Sequence, residues 1–217
     1  MIMKPQNETD KNALIYLHQS TIDLVELLRP LVTFEIIPAH KRLYFYDNGE
    51  NMCYIIHSGL LQARRDTDEV VISRLGVPNI MGITNLLPKS DTGLFLETLS
   101  ECEIAITTAE QAQKWIGELN AWELLANHIS RLATNLFINN VMLTAPTAYE
   151  VMRFQLISLM REPEHVRAKI SAVKYIQERT RLSRSTIMKI LAQLRQGGYI
   201  ELDDGVLKAL NHLPAKY

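Results

Sequence analysis

Between Leu31 and Thr108 the chain repeats short β-branched and aromatic runs broken by turn residues, and after Thr108 its hydrophobic spacing becomes helical. Few folds satisfy both halves. The runs are LVTFEII, RLYFY, CYII, LLQARR, EVVISRL, LFLETLS and CEIAITT. They are separated at Pro38-Ala39, Asp47-Asn48-Gly49-Glu50, Ser58-Gly59, Asp66-Thr67-Asp68 and Gly76-Val77-Pro78-Asn79. Short strands at this spacing predict an antiparallel barrel or jelly roll. Upstream, residues 11–29 place Leu14, Ile15, Leu17, Leu24, Val25, Leu27 and Leu28 at roughly helical spacing, which predicts a short helix or two.

After the strands, Ala109 to Leu119 reads as one helix and Ala121 to Thr144 as a longer one. The longer helix carries a heptad seam: Trp122, Ile129, Leu136 and Leu143 at a, with Leu125, Leu132 and Asn139 at d. A stripe this narrow suits a coiled-coil contact, so the helix is expected to make the chain a homodimer, with polar Asn139 fixing register. The competing reading packs the same stripe on the chain's own core. Pro146 breaks the helix, because an interior proline loses a hydrogen bond and clashes with the preceding turn. Thr147 to Arg161 supplies another helix, ended by Glu162-Pro163.

Ser171 can cap a helix running through Val173 and Ile176 to about Arg179, and Leu182-Ser183 makes a short break. In the next helix Ile187, Ile190, Leu191 and Leu194 form one apolar face, with Ser185 and Lys189 opposite and Arg184 in the first turn behind the N-cap Ser183. Gly197-Gly198 ends it. Two short strands, Tyr199-Ile200-Glu201-Leu202 and Val206-Leu207-Lys208-Ala209-Leu210, flank the hairpin turn Asp203-Asp204-Gly205. Helix, turn, basic helix and hairpin make a winged helix-turn-helix, and the whole chain is α+β.

The net charge of −1 hides a division. Residues 1–144 carry 11 Lys and Arg against 17 Asp and Glu, whereas residues 145–217 carry 12 against 7. Arg167, Lys169, Lys174, Arg179, Arg181, Arg184, Lys189 and Arg195 are opposed within 165–195 only by Glu178. Such a concentration on a groove-sized helix points to double-stranded DNA: cations release counterions from phosphates, and exposed side chains near the helix start meet base edges.

The stretch Leu182-Ser183-Arg184-Ser185-Thr186-Ile187-Met188-Lys189-Ile190-Leu191 resembles the Crp/Fnr superfamily motif Cys-Ser-Arg-Glu-Thr-Val-x-Arg-x-Leu. Gly49-Glu50 and Tyr54-Ile55-Ile56-x-x-Gly59 resemble that family's barrel motif, and the likeness runs from about residue 30 to 210. It implies a cyclic-nucleotide-binding-like jelly-roll domain over 1–120, a dimerisation helix over 121–145 and a DNA-binding domain over 146–217. Arg184, Ser185 and Lys189 fall on the family's base-reading positions, and Arg179, Arg181 and Arg195 are expected at phosphates. Gln177 and Arg181 stand where the first helix and the turn usually have small residues.

The ligand pocket departs further. Where cyclic-nucleotide binders have Gly-Glu-Leu and then Arg-Ser, this chain has Gly82-Ile83-Thr84 and Thr92-Gly93-Leu94, and no arginine lies between Arg74 and Arg131. A buried phosphate without that partner is poorly compensated, so the barrel is expected not to respond to cyclic nucleotides, and its effector is unassigned. The chain looks most like the enterobacterial branch named for inhibition of hydrogen peroxide resistance, which implies a part in oxidative-stress regulation.

A cupin-type enzyme would use the same barrel. It needs a His-x-His pair, and His18, His40, His57, His128, His165 and His212 include none. No Ser-His-Asp grouping, P-loop or Cys-His motif can be placed, so no enzyme activity, metal or cofactor is expected. His57 reads as a satisfied structural residue, and the two cysteines, Cys53 and Cys102, read as core residues. With no membrane-length apolar stretch and a polar beginning, MIMKPQNETDKN, the expected location is the cytoplasm. The alternative function is a regulator that acts through a protein partner in place of DNA.

Overall fold

The computed structural model describes residues 8–84 and 93–214. These divide into two compact units, one running to Asn135 and one from Leu136 onwards.

The first unit begins with helix α1 (Glu8–Leu28), a single helix where one or two were expected. Strands follow: β1 (Glu35–Ile37), β2 (Arg42–Tyr44), β3 (Tyr46–Asp47), β4 (Glu50–Ser58), β5 (Leu61–Arg65), β6 (Val71–Leu75), β7 (Asn79–Met81), β8 (Leu94–Thr98) and β9 (Cys102–Thr108). They form two antiparallel sheets, β1-β9-β4-β3 with β7 also on β4, and β2-β8-β5-β6. No strand pair among the described residues joins the sheets, so the domain is an open jelly roll, where the sequence allowed a closed barrel.

Alternation along β4 explains the layering. Tyr54 and Ile56 pack with Leu61, Ala63, Leu96 and Ile104 between the sheets, while Cys53 and Ile55 point the other way. That second face is covered by Leu24, Val25 and Leu28 of α1, by Ala112 and Ile116 of α2 (Ala109–Glu118), and by Leu125 of α3 (Trp122–Leu143). Each fully buried Leu or Ile contributes about 1.5–3 kcal/mol relative to an exposed one. Strand β7 lay hidden in the sequence because Gly76 and Pro78 immediately precede it.

The layer between α3 and the sheet also holds polar groups. His128 is fully buried with Nδ1 3.1 Å from Thr21 Oγ1, and Arg131 donates to Asn79 Oδ1 at 3.1 Å.

In the second unit, α4 (Ala148–Arg161) starts in a capping box between Thr147 and Glu150. It continues through the single-turn helix α5 (Glu164–Arg167), α6 (Ala172–Gln177) and α7 (Arg184–Gln196) to the hairpin of β10 (Ile200–Asp203) and β11 (Val206–Leu210). Met152, Leu156 and Leu159 of α4, Tyr175 and Ile176 of α6, Ile187, Leu191 and Leu194 of α7, and Ile200 and Leu207 of the hairpin share one core. Asp204 and Gly205, at φ +47° and +78°, form the tight hairpin turn that an Asp-Gly pair favours.

Burial holds the His128 imidazole below its ordinary value, at about 4, with Arg131 lowering it further and the Ile80 backbone offsetting part. The unfolded ring takes its proton near pH 6.5 and the folded ring only near 4, so the unfolded state binds more protons between them. Stability is therefore full above about pH 6.5 and falls on acidification towards pH 4. Melts across that window should lose on the order of 3 kcal/mol, and His128→Gln should flatten the dependence. Equal slopes in both proteins would exclude His128 as the cause.

Candidate nucleic-acid interface

Helix α7 has two chemically distinct sides. Ile187, Leu191 and Leu194 are buried in the core, whereas Arg184, Ser185, Met188, Lys189 and Arg195 are exposed. Ser183 caps the helix as expected, its Oγ accepting from the Thr186 amide at 3.1 Å. The same hydroxyl lies 2.9 Å from Ser185 Oγ, and Arg184 donates to Gln177 Oε1 at 3.4 Å. The structure thus gathers Arg184, Ser185 and Lys189 on one exposed surface at the start of α7. Met188, four residues after Arg184, joins them; an apolar side chain gives no sign in the sequence of lying on a polar surface.

Arg181 is exposed in the turn and Arg195 in the last turn of α7. Arg179 does not share their surface. Only 8% of it is exposed, its guanidinium carbon lies 3.7 Å from the Tyr175 ring centroid, and Nη1 donates to the Tyr175 carbonyl at 3.2 Å. Its burial corrects the expectation that it projects towards phosphates.

The hairpin tip carries exposed Glu201, Asp203 and Asp204, with Lys208 3.6 Å from Asp203. It is tied back to the start of α6, where the Ala172 amide donates to the Gly205 carbonyl at 2.8 Å.

On α3 the expected seam divides. Trp122, Ile129, Leu136 and Leu143 are exposed, Leu132 and Asn139 are half-buried, and Leu125 is buried at 7% against its own sheet. Leu125 therefore belongs to the intrachain core, in place of the seam read from the heptad. Phe137 and Val141, off the seam, are the most exposed large apolar residues of the helix among those described, at 73% and 63%.

In the segment expected to line the pocket, Gly82 sits at φ +89°, where a Cβ would strike the Met52 carbonyl oxygen. Ile83 is buried among α1 and α2 side chains, and its carbonyl accepts from Gln113 Nε2 at 2.7 Å. Thr84 is exposed, and the Gly93 carbonyl accepts from the Asp66 amide at 2.7 Å. Thr92 lies outside the described residues.

Residues 148–215 match a family of winged helix-turn-helix DNA-binding domains. The chain is 32% identical over 191 residues to the inhibitor of hydrogen peroxide resistance from Escherichia coli K12, covering 85% of this chain and 88% of that protein. The fold is similar to that of a c-di-GMP-responsive global regulator from Xanthomonas campestris, at TM-score 0.69 and 18% identity over 88% of this chain and all of the other. It is also similar to that of a CRP/FNR-family transcriptional regulator from Thermus thermophilus, at TM-score 0.60 and 15% identity over 82% and 94%. No helix among the described residues is long and apolar enough to cross a membrane. The chain belongs to the inhibitor of hydrogen peroxide resistance family, its C-terminal residues match winged helix-turn-helix DNA-binding domains, and its fold is similar to that of Crp/Fnr-type regulators.

Proposed function

We propose that the chain works in the cytoplasm as a homodimer that places α7 in the major groove. Arg184, Ser185 and Lys189 then meet base edges and Met188 a thymine methyl group. The observation that carries this reading is the exposed surface at the start of α7, backed by a wholly apolar buried side. Arg195 follows Arg184 by eleven positions, about 16 Å along the axis at 1.5 Å per residue. That exceeds the roughly 12 Å groove width, so with Arg184 at the bases Arg195 reaches the backbone, as does Arg181 from the turn. The acidic hairpin tip is repelled by phosphate, so affinity rests on the helices.

Binding titrations test the reading on an operator selected from random duplexes and on a scrambled duplex. Arg184→Ala should lose about 1–3 kcal/mol of discrimination at one position per half-site. Arg181→Ala should weaken both duplexes alike and reduce the salt slope by roughly one. Wild-type binding of both duplexes by Arg184→Ala and Lys189→Ala would hand the function to a protein partner.

Dimerisation is assigned to Trp122, Ile129, Leu132, Leu136, Asn139 and Leu143 on α3. Leu136 is 59% exposed in the protomer, so Leu136→Asp costs little there and several kcal/mol in an apolar interface. Light scattering should report a monomer for this variant. An unchanged dimer mass would move the interface elsewhere.

The jelly roll is proposed to ignore cyclic nucleotides, because Ile83 fills the position of the ribose-binding acid with core side chain. Calorimetry with cAMP or cGMP at about millimolar concentration should give no saturable heat, and a micromolar dissociation constant would sink the idea. A part in the peroxide response, taken from the relatives' name, would not use the chain's thiols as sensors. Burial pushes Cys53 up to about 12 and raises Cys102 as well, whereas peroxide reacts with exposed thiolate.

A further inference from the structure

We infer that Arg179 is a positioning residue that sets how α7 lies against α6, and through it the operator selectivity; the inference rests on the DNA-reading role proposed above. Helix-turn-helix pairs are commonly joined by a tight turn containing glycine. Residues 178–183, between α6 and α7, contain none. In that segment Arg179 and Thr180 are both buried.

The guanidinium stacks 3.7 Å from the Tyr175 ring centroid, donates to the Tyr175 carbonyl at 3.2 Å and lies 3.9 Å from Glu178 Oε2. Tyr175 in turn donates its hydroxyl to Glu162 Oε1 at 3.2 Å, just past the end of α4. Thr180 Oγ1 donates to the Ile176 carbonyl at 2.9 Å. The turn is therefore closed by a planar cation clasped to α6, and the ring beneath it is anchored to α4. Tyr175 and Ile176 share a core with Ile187 and Leu191, so a shift of the clasp moves α7. Base reading tolerates only about 0.5 Å of misplacement. With 8% of the residue exposed, Arg179 cannot lend its charge to a phosphate without leaving this clasp.

Arg179→Lys separates the two roles, because lysine keeps the charge a phosphate needs but cannot stack as a plane or donate as a fork. A positioning role predicts that Arg179→Lys loses operator affinity by about tenfold or more. Affinity for a scrambled duplex and the salt slope should stay at wild-type values, with folding verified by melts under assay conditions. If lysine destabilises the fold, Arg179→Met refills the buried space with an unbranched apolar chain, and the same operator-selective loss is expected. Wild-type operator binding by the tested variant overturns the inference. So does an equal loss on both duplexes, which for Arg179→Met with a slope lower by about one marks a phosphate contact. Arg184→Ala, run beside them, separates the failures. If it leaves operator affinity unchanged, the DNA-reading proposal falls; if it weakens the operator while the Arg179 variant does not, only the positioning role falls.

Discussion

Strand β4 must be buried on both faces, and the N-terminal unit is arranged around that requirement. Its successive residues Cys53, Tyr54, Ile55 and Ile56 are all buried, alternately towards the helices and towards the second sheet. A strand of this kind cannot lie at a solvent-facing surface, so three helices are drawn onto one side of it. The first half of α3 is among them. A helix that commits Leu125 and His128 to the core of its own unit has only the rest of its circumference, and its later turns, for anything else. Beyond Leu125 its later turns accordingly carry exposed apolar residues, among them Leu136, Phe137 and Val141.

The order of elements was legible because alternation and helical spacing differ along the chain, and because Ser171, Ser183 and Asp204-Gly205 mark starts and turns with specific backbone chemistry. What a stripe packs against was less legible. Leu125 fits a heptad and fits an intrachain core equally well by spacing, and only the position of the sheet separates them. Arg179 is hard to place for a related reason, since a cation between two helices reads as surface by residue type although this one is buried. The signal that could have corrected it lies four positions earlier, where Tyr175 presents an aromatic face at helical i, i+4 distance. Arg184, Ser185 and Lys189 could be placed on the outer surface from the sequence because Ile187, Leu191 and Leu194 fix the opposite side unambiguously.

Gly82 and Ile83 are adjacent in the chain but answer to different physical constraints. At Gly82 the backbone passes so close to Met52 that any side chain would strike a carbonyl, and the positive φ favours glycine as well. Neither constraint depends on a ligand. The next position is under no such backbone demand, and an apolar side chain there gains the burial energy that a carboxylate would forfeit without a polar partner. Ile83 takes that option and joins the core formed with α1 and α2. The jelly roll therefore keeps its packing at this point with an apolar side chain, where a carboxylate would need a polar partner to offset its burial.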